Sequence, residues 1–265
     1  MLLNSVVIVI REALEAALMI SILLALSRLL DLRIRWIASA LVLGLLSAIA
    51  YGYSLPVISD LFDGVGQEVV NATLQYLVFA LLVVCLYHIA DNRHSTASEH
   101  GSLPAIMAVA VVLAIAREGS EILVFLSGFL QSRDFLASVA IGSAIGAIIG
   151  ISVGVLFYYL LLALPAKRSL PAAAILLSLV GAGMCAQATR LLIQADWVSA
   201  SGALWDSSGW LPEQSTFGQL LYALIGYEAS PSAPEAGAYL FSLAAMAAAF
   251  FIGRRFHGPH REIAA

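Results

Sequence analysis

The sequence is short of charge. Only 11% of its 265 residues are Asp, Glu, Lys or Arg, where a soluble domain carries about 25%. That shortage excludes an ordinary water-soluble globule, a disordered chain and a basic nucleic-acid binder. The formal net charge of -4 implies no general polyanion or polycation partner. Cysteine is scarce as well. Cys85 and Cys185 each sit in an apolar run, giving neither a disulfide framework nor a Cys-x-x-Cys metal site, so they read as small apolar fillers. The sequence has no Gly-x-x-x-x-Gly-Lys-Ser/Thr run, which excludes ATP-driven pumping by this chain alone. It also lacks the alternating ten-residue segments of a membrane barrel.

What is present is apolar residue, 61% of the chain, at a mean hydropathy of +0.94. A bilayer core takes about 20 apolar residues in a helix. Seven segments qualify: 3–29, 36–56, 67–90, 104–130, 135–164, 171–194 and 236–254. The predicted fold is an all-α integral membrane protein with seven transmembrane helices. Segment one is not read as a cleavable signal, because Arg11, Glu12 and Glu15 occupy its middle.

Lys and Arg set the orientation. Arg28, Arg33, Arg35, Arg93, Lys167, Arg168, Arg254, Arg255 and Arg261 fall on one side of these spans and only Arg133 on the other. The amino terminus is therefore expected outside and the carboxyl terminus in the cytoplasm. The outer connections are acidic, with Asp60 and Asp63 in one and Asp196, Asp206, Glu213, Glu228 and Glu235 in the last. That last connection, 195–235, has no Lys or Arg, and Trp197, Trp205 and Trp210 suit a membrane-interface belt. Its apolar stretch 217–227 reads as a short helix lying in or dipping into the interface.

An internal repeat is visible. Arg11-Glu12-Ala13-Leu14-Glu15 in span one returns as Arg117-Glu118-Gly119-Ser120-Glu121 in span four, 106 residues on. The same offset carries Ala40, Gly44 and Ala48 of span two onto Gly146, Gly150 and Gly154 of span five. These small residues at every fourth position point to close helix packing against neighbours, or across a dimer. The expected organisation is repeat one over 1–100, repeat two over 101–194, an outer loop with an interfacial helix over 195–235, a seventh helix over 236–254 and a cytoplasmic tail over 255–265. Three spans per copy is an odd number, so the second copy must be inverted relative to the first, with a site near the midplane where the copies meet.

The motifs carry the chemistry. An ionisable group at bilayer depth costs about 2.5–3.5 kcal/mol on insertion scales, so two Arg and four Glu must face one another or a wet cavity. Arg11 with Glu15, and Arg117 with Glu121, have the four-residue spacing of a helical ion pair. Glu12 and Glu15, like Glu118 and Glu121, are three apart and can reach one side. Four carboxylates against two guanidinia leave a surplus of negative charge built of hard oxygen donors, which suits a small multivalent cation. The competing reading is an ion-pair network that only locks two helices together.

Other polar groups recur at helical spacing. Glu68, Asn71 and Gln75 share a face near the outer mouth, where Glu68 is a candidate first ligand or simply a solvated helix start. Gln187, Arg190 and Gln194 share another, and Arg190 either balances the carboxylates or snorkels outward. His88, His94 and His100 could receive a metal on exit, although scattered loop histidines are usually just exposed. Met19 and Met184 read as apolar filling rather than soft-metal ligands.

Two Arg-Glu-x-x-Glu motifs in the first and fourth of seven spans resemble the high-affinity iron permease family of fungi and bacteria, which includes the bacterial ferrous iron permease. The usual motif is Arg-Glu-Gly-Leu-Glu, and only spacer residues differ here. Trp205-Asp206-Ser207-Ser208, Leu211-Pro212, Gly218-Gln219-Leu220-Leu221, Gly226-Tyr227 and Pro231 extend the similarity over almost the whole chain. The resemblance implies iron transport across the cytoplasmic (inner) membrane. It implies metal contact by Glu12, Glu15, Glu118 and Glu121, with Arg11 and Arg117 beside them. Iron is then substrate rather than cofactor. The implied partner is an extracytoplasmic protein that oxidises or delivers iron, and a homo-oligomer is compatible.

Some relatives are assigned to lead, so another divalent metal is an alternative. So are a non-transporting scaffold and a proton- or sodium-coupled carrier for another solute. A di-iron enzyme would need Glu-x-x-His, and no such His follows these glutamates, so no enzyme is expected.

Overall fold

The computed structural model describes residues 2–91, 102–129, 133–199 and 201–256. Every described element is helical: α1 (Leu2–Leu29), α2 (Arg35–Ser59), a single 3-10 turn (Phe62–Gly64), α3 (Gly66–Asp91), α4 (Leu103–Ser127), α5 (Arg133–Ala163), α6 (Ala166–Gln194), α7 (Thr216–Ile225) and α8 (Ala233–Phe256). Seven of them coincide with the seven apolar segments. Five, namely α2, α3, α5, α6 and α8, are long and apolar enough to cross a membrane. The helices α1 and α4 are of similar length but carry the charged motifs.

Local chemistry sets the helix ends. Proline near the start of α4 needs no backbone N–H there. The short α7 opens on Ser215, whose hydroxyl oxygen accepts from the Gly218 N–H at 3.0 Å. It closes on Gly226, in the left-handed region at φ 65°. A Cβ on Gly226 would also stand 2.4 Å from Gly183 Cα, so glycine permits both the turn and the close approach to α6. Two expected ends move outward: α2 continues through Pro56, and α6 starts at Ala166 and runs through Pro171. Each proline lies near a helix end, where losing one intrahelical bond is tolerated.

Packing pairs the two halves of the chain. α5 lies along α1 and α2 lies along α4; α3 packs on α6; α1 meets α4; α3 meets α4 as α6 meets α1; and α8 packs on both α3 and α6. Exchanging α1, α2 and α3 for α4, α5 and α6 leaves this partner list unchanged. Among the described elements α7, resting on α1 and α6, and the 3-10 turn, against α3, have no counterpart in it.

The small-residue rows make the two main contacts. A Cβ at Gly146, Gly150 or Gly154 would fall within 3 Å of Val6, Ala13 and Ala17 respectively. On the other side Gly44 faces Ile115, Gly119 faces Ala48, and Gly52 faces Leu123. The rows therefore pack against the charged helices. Their register corrects the expected alignment. Ala13 and Gly119 are 106 apart, but their partners Gly150 and Ala48 are 102 apart. The difference lies in the helices, since α1 runs 16 residues beyond Ala13 and α4 only 8 beyond Gly119 before connections of equal length.

Buried side chains fill the half of the bundle away from the outer connection: Met19, Ile22, Leu23 and Leu26 of α1 with Leu82, Leu86, Leu103, Met107 and Leu177. The outward faces of α2 and α5 are apolar and exposed, including Val42, Leu45, Leu46, Ile148, Ile151 and Leu156. Apolar residues outside and ion pairs inside are the arrangement of a lipid-embedded bundle.

Candidate metal path

The two motifs meet where α1 crosses α4. Arg11 Nε lies 3.4 Å from Glu15 Oε1 and Arg117 Nη2 lies 3.2 Å from Glu121 Oε1, the expected four-residue pairs. Arg117 also donates to Glu118 and reaches across to Glu15 Oε2 at 3.8 Å. Glu15 is thus held by a guanidinium from each helix. Beside it, Glu12, Glu118 and Glu121 each bring one carboxylate oxygen within 4.8 Å of the others, although Glu118 and Glu121 also pair with Arg117. Metal–oxygen bonds of about 2.0–2.6 Å put two ligands of one ion at most about 4–5 Å apart, so three ligands are nearly in place. Of the four motif carboxylates, Glu12, Glu118 and Glu121 gather most closely.

Burial sharpens the point. Glu12 and Glu118 are 6% and 3% exposed, and Oε2 of each is buried without a hydrogen-bond donor. An acceptor left that way in a dry interior is expensive. A bound cation is one partner that satisfies several such oxygens at once.

The cluster opens on one side. A cleft of about 350 Å³ is lined by Gln67, Glu68 and Asn71 of α3, Glu121, Val124 and Phe125 of α4, and Leu191 and Gln194 of α6. Glu68 lies on this wall, with one buried oxygen that accepts no hydrogen bond. Asn71 Nδ2 donates to Glu121 Oε1 at 3.3 Å, and Tyr51 Oη donates to Asn71 Oδ1 at 2.7 Å. Glu121 is therefore the motif residue that faces the cleft. Deeper in, Gln75 Nε2 donates to Gln187 Oε1 at 2.6 Å, joining the two polar faces read from the sequence.

Arg190 is elsewhere. Its Nε donates to Glu235 Oε1 at 3.0 Å, and its Nη2 pairs with Glu228 and lies 3.8 Å from Glu213. It holds down the outer connection and does not balance the carboxylate cluster, because its position near the end of α6 lies beside that connection. Of the histidines, His88 stacks edge-on with Tyr87, while His94 and His100 lie outside the described residues. Cys85 and Cys185 are buried and unpaired, as apolar fillers are.

Sequence reasoning missed Tyr222. The buried face of α7 turns this ring under the Arg11 guanidinium, 4.1 Å from the ring centroid, and Arg11 also donates to its hydroxyl. The outer signature residues explain how it arrives there. Tyr227 Oη donates to the Leu211 carbonyl at 2.9 Å and bonds the Ser207 hydroxyl at 2.8 Å. The Ser207 N–H donates to the Ala229 carbonyl and the Leu204 N–H to Pro231, each at 2.8 Å. These bonds fold the connection back on itself and press α7 onto α1 and α6. A tyrosine within an apolar ten-residue helix was the available signal.

Residues 2–253 match the iron permease FTR1 family. The ferrous iron permease EfeU of Escherichia coli O6:H1 (strain CFT073) is 28% identical, covering 94% of this chain and 95% of its own. The ferrous iron permease EfeU of Shigella sonnei is 27% identical with the same coverage. No solved structure matches. With the match running nearly end to end and both charged motifs inside it, the chain belongs to the iron permease FTR1 family.

Proposed function

We propose that this chain is a transporter that carries iron across the cytoplasmic membrane through the carboxylates of α1 and α4. The observation that carries this reading is the gathering of Glu12, Glu118 and Glu121 from two helices, beside a cleft that holds Glu68. Iron entering the cleft first meets Glu68, Asn71 and Glu121, then exchanges water for Glu12 and Glu118. Two motifs carry a formal surplus of two negative charges, which a multivalent ion neutralises. Arg117 already touches Glu118 and Glu121 and lies near Glu15, so its guanidinium can compete with the ion and weaken the grip that would otherwise trap it.

In this reading seven helices span the membrane, and α1 and α4 are the inner pair of an inverted three-plus-three repeat. The exchangeable packing partners support it. The cation distribution supports an outer amino terminus and a cytoplasmic carboxyl terminus. The acidic outer connection is the docking place for an extracytoplasmic iron-oxidising or iron-delivering protein.

The test is radio-iron uptake into proteoliposomes, supplied as ferric and as ferrous ion, by wild type and by Glu12→Gln plus Glu121→Gln. Uptake is expected to fall by at least about tenfold, the lower bound for losing even an outer-shell partner of a metal ligand. Equal uptake by both proteins would leave the motifs as a structural ion-pair network.

A further inference from the structure

Beside Glu118 lies a second and much smaller space. It is a cavity of about 10 Å³ between α1, α4, α6 and α7, roughly the room one water centre needs. Glu15, Glu118 and Gln187 border it, and so do Met19 of α1 and Met184 of α6. Both methionines are buried, at 1% and 7% exposure. They come from helices on opposite walls, 165 residues apart in sequence, and each lies at the point where the apolar core begins.

We infer that this cavity is a second metal subsite, lined by thioether and carboxylate, that takes a soft or borderline cation such as ferrous ion after it leaves the carboxylate cluster. The inference rests on the reading of that cluster as the iron path. Three features carry it. Glu118 belongs both to the carboxylate cluster and to the lining of the cavity, and its Oε2 is buried without a hydrogen-bond partner. The cavity admits one atom and no hydration shell, so an ion there must take its ligands from the protein. The lining includes two methionines, whose thioethers favour soft and borderline cations, whereas a hard ferric ion prefers the all-oxygen cluster. The outer site is therefore permissive and the inner one selects the lower oxidation state. Beyond it the packed core of Ile22, Leu23, Leu26 and Met107 closes the path.

Silver ion, a soft cation with a single accessible oxidation state, is the probe. The full-length protein is prepared with Cys85→Ala and Cys185→Ala, so that any sulfur bound to silver is thioether. X-ray absorption at the silver edge is expected to show sulfur neighbours, and silver is expected to inhibit ferrous uptake into proteoliposomes. Adding Met19→Leu and Met184→Leu, which nearly conserve volume, is expected to remove those neighbours and raise the inhibitory silver concentration about tenfold or more. An oxygen-only silver shell in the cysteine-free protein overturns the subsite without needing the leucine variant to fold. A sulfur shell that survives both leucines also overturns it, since other methionines then bind the probe. Loss of iron uptake in Glu12→Gln plus Glu121→Gln reads the cluster separately, so failure of the subsite and failure of the path give different results.

Discussion

The two arginines of the repeated motif are not equivalent. Arg117 is buried and lies within 4 Å of three carboxylates, whereas the Arg11 side chain is 39% exposed and leans on the Tyr222 ring. A ring face under a guanidinium stabilises the cation and fixes its plane, so Tyr222 sets where Arg11 can meet Glu15. Tyr222→Phe keeps the ring and removes the hydroxyl. Losing one hydrogen bond of about 0.5–1.5 kcal/mol is expected to slow iron uptake a few-fold. Tyr222→Ala removes both contacts and is expected to slow it further. Uptake rates for the pair decide the point, and if both match wild type the ring has no part in transport. Glu12, Glu15, Glu118 and Glu121 were legible from spacing alone, because i, i+3 and i, i+4 neighbours share a helix face. Which three would gather and which one would be clamped was not, since that depends on where the other helix puts its guanidinium.

At the scale of elements, the charged helices are held by glycine. With α5 against α1 and α2 against α4, backbones approach so closely that a methyl group has no room at several points. Gly150→Ala would place its Cβ 2.9 Å from the Ala13 Cβ, and Gly119→Ala would place one 2.8 Å from the Ala48 Cβ. Overpacking of this kind costs about 1–3 kcal/mol, and thermal unfolding in detergent is expected to shift down for both variants. Gly52→Ala is the control on the same row, because its nearest neighbour is an ordinary 3.6 Å away. A shift as large for Gly52 as for Gly150 would mean the loss comes from something other than helix approach. The small-residue rows were visible in the sequence, but their register was not. A uniform repeat offset misses the contact by one turn, because the helices on either side of equal connections differ in how far they run past the contact.

At the scale of the whole molecule, symmetry is broken by one segment. The outer connection supplies α7 and no counterpart exists in the pairing of the first six helices. Arg190 fastens this segment through Glu213, Glu228 and Glu235, and Glu235 in turn accepts from the Ser232 N–H at 2.6 Å. Arg190→Gln leaves three carboxylates without their shared cation. Loss of charge-assisted hydrogen bonds worth about 1.5–3 kcal/mol each is expected to expose the 195–235 stretch to added protease. Unchanged cleavage would show that the backbone bonds around Ser207 and Tyr227 hold the segment unaided. The carboxylate partners of Arg190 in this structure were not legible in the sequence, because helical periodicity gives the face of a residue but not which neighbour that face meets.

The sequence by itself determined that the chain is helical and apolar, where its helices lie, that two copies of one charged motif occupy two of them, and which residue types could hold a metal. These follow from local rules of period, hydrophobicity and charge, which act within a few turns of one helix. Tertiary structure alone decided that Glu12 joins Glu118 and Glu121 across 106 to 109 residues of chain, that Tyr222 reaches Arg11, and that Met19 and Met184 face one small cavity. Each of those contacts joins two helices, and the relative depth and rotation of two helices are set by the small residues and connections between them, not by the pattern on either one.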